Sequence, residues 1–151
     1  MIKIICVGHL KEKYLKEAET EYLKRLTKYN KVELLELDDK GYNDTSKVIK
    51  EEGKEILKHL DDKSFIITLE INGKEFDSIS FAKKIEEINI SYPNITFIIG
   101  GSYGLSSEVI EKANMHMSFS HMTFPHQLFR IMLLEQIYRA YKIINNESYH
   151  K

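Results

Sequence analysis

Four groups of residues in this chain have side chains and spacings suited to chemistry. The first is Gly100-Gly101-Ser102-Tyr103-Gly104, directly after the apolar run Ile95–Ile99. Glycines there would let a ligand lie on the backbone, but glycines after a strand can also just make a turn. The G-G-x-x-G spacing is not the dinucleotide G-x-G-x-x-G, and the Gly-Lys-Ser/Thr of a phosphate loop is missing. The second group is His116, His121 and His126, five residues apart with no carboxylate or thiol between them. That is not metal-ligand spacing. His126, opening a helix, could orient a substrate or move a proton; a solvated first-turn histidine fits the spacing equally well. The third group is Glu135 and Arg139, in the favourable i, i+4 order, with Arg130 one face away among Leu134, Ile137 and Tyr141. A guanidinium on an apolar face needs an acceptor, either an ion pair or backbone contact across an interface or an anionic ligand. The fourth is the terminus Ser148-Tyr149-His150-Lys151, a ring, an imidazole and a cation beyond the last helix. Such tails often fray, and nothing in its composition assigns it core duties.

These residues must be held by the elements around them. Met117–Ile144 reads as a short strand, a loop ending Thr123-Phe124-Pro125, and a long helix whose first turn suits Pro125. Ile131, Leu133, Leu134, Ile137, Tyr138, Ala140, Tyr141 and Ile144 fill a wide apolar arc on it, with Leu128 and Met132 opposite. A helix so apolar needs cover on more than one side, so a second copy of the chain is expected against it. Upstream, strands are expected at Ile2–Gly8, Val32–Leu37, Ser64–Ile71, Ile95–Ile99 and Met115–Phe119. Helices are expected at Lys11–Tyr29, Thr45–Leu60, from Asp77 or Ser78 to Ile90, and at Ser106–Lys112. The third of these should bury Ile79, Ala82, Ile85 and Ile88 together. Strands alternating with helices, several apolar on both faces, predict one α/β domain over 1–151, with a mostly parallel sheet and helices on both faces. Ligands of such sheets bind beyond the strands' carboxyl ends, which here means the loops Glu70–Glu75, Gly100–Gly104 and Ser120–Phe124.

Composition narrows the class. With 42% hydrophobic and 30% charged residues the chain reads as a soluble globular protein. Its single cysteine, Cys6, excludes an internal disulfide framework and a cysteine metal cluster. No signal peptide and no membrane-length apolar run is visible, so a cytoplasmic protein is expected. A net charge of −1 argues against promiscuous nucleic-acid binding, although Arg, Lys and His gather after Lys112.

Four segments then match a known pattern in order and spacing: Leu69-Glu-Ile-Asn-Gly-Lys74, Phe97-Ile-Ile-Gly-Gly-Ser-Tyr-Gly-Leu105, Phe119-Ser-His-Met-Thr-Phe-Pro-His-Gln127 and Tyr138-Arg-Ala-Tyr141, with the ending Tyr149-His-Lys151. Over its whole length the chain resembles the SPOUT superfamily of RNA methyltransferases, and within it those that methylate N3 of a pseudouridine in large-subunit ribosomal RNA. The resemblance implies a C-terminal trefoil knot and S-adenosylmethionine as cofactor, in the homodimer expected from the apolar last helix. It implies cofactor contacts at Leu69, Gly100, Phe119, Ser120, His121, Met122, Thr123 and Phe124. His126, Glu135 and Arg139 would lie near the acceptor base. Arg130, Tyr149, His150 and Lys151 would meet the RNA of an assembled ribosome, with no metal and no membrane involved. A SPOUT enzyme acting on another base, and a non-catalytic ribosome-associated module, are the alternatives.

Overall fold

In the computed structural model, which describes residues 1–151, ten elements alternate strictly. They are β1 (Ile2–Val7), α1 (Lys13–Leu26), β2 (Val32–Leu37), α2 (Thr45–Lys58), β3 (Phe65–Glu75), α3 (Ser78–Ser91), β4 (Ile95–Ile99), α4 (Ser107–Lys112), β5 (Met115–Ser118) and α5 (His126–Ile144). The strands form one parallel sheet in the order β2-β1-β4-β3-β5. The period of two sorts their side chains. Ile2, Ile4 and Cys6 of β1, with Ile95, Phe97 and Ile99 of β4, face α1, α3 and α5. Ile5, Val7 and Ile98 face the opposite way, against Ile56 of α2 and Val109 of α4. Both faces are covered, so every central strand residue had to be apolar or internally paired. Thr96 of β4 and Ser64, just before β3, satisfy each other through hydroxyls 2.7 Å apart.

Three of the five helix starts follow side-chain caps. Asp44, Asp77 and Ser106 accept the N–H groups of Ser46, Ser80 and Val109 at the heads of α2, α3 and α4. Pro125 stands as the N-cap of α5, with extended ψ, rather than inside its first turn. No helix is long and apolar enough to cross a membrane.

Three further expectations change. α1 begins two residues later and stops three earlier, and Tyr14 points outward, 67% exposed. In α3 the buried stripe is Phe81, Ala82, Ile85 and Ile88, while Ile79 is 61% exposed. A spacing of three drifts 60° per step on a helix of 3.6 residues per turn, so Ile79 ends opposite Ile88. Finally, β3 runs on to Glu75: Leu69 and Lys74 both pair with Met117, and residues 70–73 bulge out between them.

Candidate functional site

The bulge, the loop after β4 and the loop after β5 enclose a cleft of about 400 Å³. A regular strand would turn alternate side chains away, but here Leu69, Glu70, Ile71 and Asn72 all line the cavity. Gly73 closes the bulge by lying on β5; a Cβ there would sit 2.6 Å from the Met117 carbonyl carbon. The β4 loop folds back on itself through a Gly104 N–H to Gly101 O bond of 3.1 Å, with Gly104 at φ +89°. A Cβ on Gly100 would meet Leu105 at 2.9 Å and the Gly104 backbone at 3.0 Å. Gly100 is therefore demanded by the loop's own tight turn, the second of the two readings its position after a strand allows.

Most of the residues matched to cofactor positions converge. Leu69, Gly100, Phe119, Ser120, Met122, Thr123 and Phe124 line this one cleft, together with His126. The 119–124 loop is braced internally: Ser120 Oγ accepts the Met122 N–H at 3.0 Å, and Ser118 Oγ donates to Ser120 O at 3.1 Å. Phe119 and Phe124 both pack on Phe129 of α5, with ring centroids 4.7 and 6.3 Å away. His121 is the exception. Its ring turns outward to Glu75, 3.0 Å away, leaving only its backbone in the loop.

The three residues matched to acceptor positions are divided between two places. His126 lines the cleft, its Nε2 3.4 Å from Ser102 Oγ. Glu135 lines a larger neighbouring cavity of about 740 Å³ between α3, β5 and α5, which shares Met117 and Phe119 with the first. There Arg139 binds Glu135 at 2.6 Å and donates to His150 Nδ1 at 3.1 Å. Because a guanidinium only donates, that nitrogen accepts, and the ring N–H sits on Nε2. The Glu135 hydrogen bond holds the Arg139 pKa above its ordinary value.

The terminus is docked, contrary to the expectation of a free tail. Tyr149 packs edge-on against Tyr138 at 5.0 Å and lies under the Arg139 guanidinium at 4.7 Å. Glu147 anchors the turn before it, accepting from Lys28 at 2.9 Å, Tyr29 at 2.9 Å and Lys142 at 3.2 Å. Those donors hold the Glu147 carboxyl down at about 2. Ser148 and Lys151 stay exposed.

Arg130 also differs from expectation. It is 3% exposed and bound inside its own chain, to Glu36 at 2.6 Å, Glu19 at 3.2 Å and the Gly8 carbonyl at 3.1 Å. Burial works to raise Glu36, but the Arg130 guanidinium and the Leu10 N–H outweigh it and hold this carboxyl below its usual range. That placement removes Arg130 from any RNA-facing surface. No periodicity argument could have named Glu19 and Glu36 as its acceptors, since both lie more than ninety residues away. Nothing in their spacing joins Thr68 and Glu70 to His116, which the register of β3 and β5 brings together. No group of three or more His, Cys, Asp or Glu side chains could hold a metal ion.

Comparison with known proteins bears on this cleft. Residues 1–150 match the family model described as "Predicted SPOUT methyltransferase". A Clostridium tetani protein named "Ribosomal RNA large subunit methyltransferase H" is 50% identical, the match covering 99% of each chain. A Carboxydothermus hydrogenoformans protein of the same name is 49% identical over the same share of both. Among solved structures, a probable methylase family protein from Haemophilus influenzae aligns with a TM-score of 0.57 at 15% identity, covering 99% of this chain and 70% of its own, a likeness of fold alone. With a family model spanning nearly the whole chain and relatives at half identity over full length, the chain belongs to the SPOUT methyltransferase family.

Proposed function

We propose that this protein methylates N3 of a pseudouridine in large-subunit ribosomal RNA within the assembled ribosome. On this reading it is a cytoplasmic homodimer with its C-terminal segment knotted as a trefoil. S-adenosylmethionine, the methyl donor of the family, supplies an electrophilic methyl group on a sulfonium. The cleft suits it: about 400 Å³ lies within the range of roughly 300–1,000 Å³ usual for small-molecule sites. Leu69, Leu105, Ile110 and Phe119 offer apolar walls for a purine, and two tight loops offer backbone groups. The observation that carries the reading is this convergence of Leu69, Gly100 and the 119–124 run, distant in sequence, on one cavity of a SPOUT-family chain. The ribosomal target is supported by the names of the full-length relatives.

Pseudouridine N3 is a weakly acidic imide, so its proton must leave while the nitrogen is held in line with the methyl carbon. Glu135, Arg139 and His150 form the cluster suited to grip the acceptor: a carboxylate to accept an N–H, a guanidinium and an imidazole N–H to donate. Tyr149 and Lys151 extend that face toward RNA. Positioning is assigned most of the rate, and no single side chain is named as the base. The exposed Ile79 and Leu128, with Met132 beside them on α5, give the apolar strip that a second copy would cover.

The test is methyl transfer from labelled S-adenosylmethionine to ribosomes of a strain lacking this gene, followed by mass mapping. Label on a pseudouridine of assembled particles supports the reading. Label on another base supports a SPOUT enzyme of different target. A protein that binds no S-adenosylmethionine in calorimetry is a ribosome-associated module with a vestigial cleft.

A further inference from the structure

The cleft contains one carboxylate, Glu70, that no matched position accounts for. Its Oε2 is held twice, by the Thr68 hydroxyl at 2.6 Å and by His116 Nδ1 at 2.5 Å. Thr68 is fully buried in β3, and His116 is its direct partner in the β5 register. The carboxylate is thus fixed from a rigid sheet rather than swinging on a loop. Its other oxygen, Oε1, takes no hydrogen bond from the chain, although the side chain is only 22% exposed. Glu70 follows Leu69 where the β3 bulge begins, and both residues line the cleft.

We propose that Glu70 reads the ribose of the cofactor, with the free carboxylate oxygen accepting hydrogen bonds from the vicinal hydroxyls. The group attached to a purine is its sugar, so the residue next to the purine wall is the one that meets it. A diol presents two adjacent donors, which one pre-oriented carboxylate accepts without an entropic penalty for its own ordering. An acidic side chain at a strand's carboxyl end plays this part in other parallel-sheet nucleotide sites. Thr68 and His116 are positioning residues here, acting only through Glu70.

The inference rests on the cofactor cleft proposed above, and the experiment separates the two. Calorimetry on the full chain compares S-adenosylhomocysteine, 5′-methylthioadenosine and the 2′,3′-dideoxy form of the latter. Wild type should bind methylthioadenosine at least about tenfold more tightly than its dideoxy form, the size expected for hydrogen bonds to a charged acceptor. Glu70→Ala should erase that preference to within about twofold. Glu70→Gln, which keeps the shape and guards against a folding defect, should narrow it. Retention of the full preference in both variants overturns the inference while leaving the cleft intact. So does a variant that loses S-adenosylhomocysteine but binds methylthioadenosine normally, because Glu70 would then face the amino-acid ammonium. A wild-type protein that binds none of the three overturns the cleft itself and the inference with it.

Discussion

Removing Arg130 should destabilise the fold without touching RNA recognition. Arg130→Ala strips Glu36, Glu19 and the Gly8 carbonyl of hydrogen bonds at 2.6, 3.2 and 3.1 Å. Breaking a fully buried pair by deleting one partner costs about 3–5 kcal/mol. Here the acceptors are partly hydrated, Glu36 at 31% and Glu19 at 19% side-chain exposure, and Glu36 keeps the Leu10 N–H. Arg130 also leaves its own Nε unpartnered in the wild type, which lowers what it contributes. The expected loss is therefore about 2–3 kcal/mol, or roughly 4–12 °C in Tm for a domain of this size. Urea unfolding at neutral pH measures it. Glu36 titrates below its ordinary value in the folded chain, so its contribution is present above about pH 4.5 and is lost as pH falls through the folded pKa. The variant should lack most of that acid dependence. A loss under about 0.5 kcal/mol, or normal stability with weakened ribosome binding, would refute the reasoning and return Arg130 to the RNA face.

Other predictions concern the tail and the outer face of α5. Glu147→Gln should loosen the terminus: its carboxyl is held at about 2 against an ordinary 4.5, so wild-type docking persists above about pH 4.5 and fails as pH falls toward 2, seen as faster amide exchange after Asn145. In the variant, fast exchange should already be present at neutral pH. Leu128→Asp, at a site 42% exposed in the protomer, should give folded monomers by sedimentation; an intact dimer would place the interface elsewhere. The same change at Leu134 or Ile137 should instead unfold the chain, since both are fully buried within one protomer. Deleting Tyr149–Lys151 should lower methyl transfer to ribosomes at least about tenfold while S-adenosylmethionine affinity stays near wild type. It should also cost about 1 kcal/mol of stability through the lost Tyr149–Tyr138 packing.

The order of strands and helices was legible because each signal was local. Ile95–Ile99 has no polar side chain but Thr96, and Asp44 and Asp77 are caps readable from neighbours a few residues away. That the loops after β3, β4 and β5 meet at one end was reachable from the parallel-sheet pattern, whereas the individual positions Leu69, Gly100 and 119–124 came through family resemblance. What stayed hidden depended on pairs across the chain. Arg130 was recognised as needing an acceptor, but Glu19 and Glu36 come from α1 and β2, and nothing near Arg130 in sequence points to them. The sequence pattern ends the strand at Ile71 and makes Glu70–Glu75 a loop; that β3 resumes pairing beyond the bulge at 70–73 is decided by Met117 on another strand. The docked terminus was missed for the same reason, since Glu147 finds two of its donors just after α1, at Lys28 and Tyr29.

Most direct for the central claim is mass mapping of large-subunit RNA from ribosomes of a strain lacking this gene, after incubation with the purified protein and S-adenosylmethionine. The account predicts one added methyl group, on N3 of a single pseudouridine, in assembled ribosomes and with no comparable gain in protein-free RNA. Assembled ribosomes whose pseudouridines gain no methyl group, under conditions where the protein demonstrably binds S-adenosylmethionine, would contradict it.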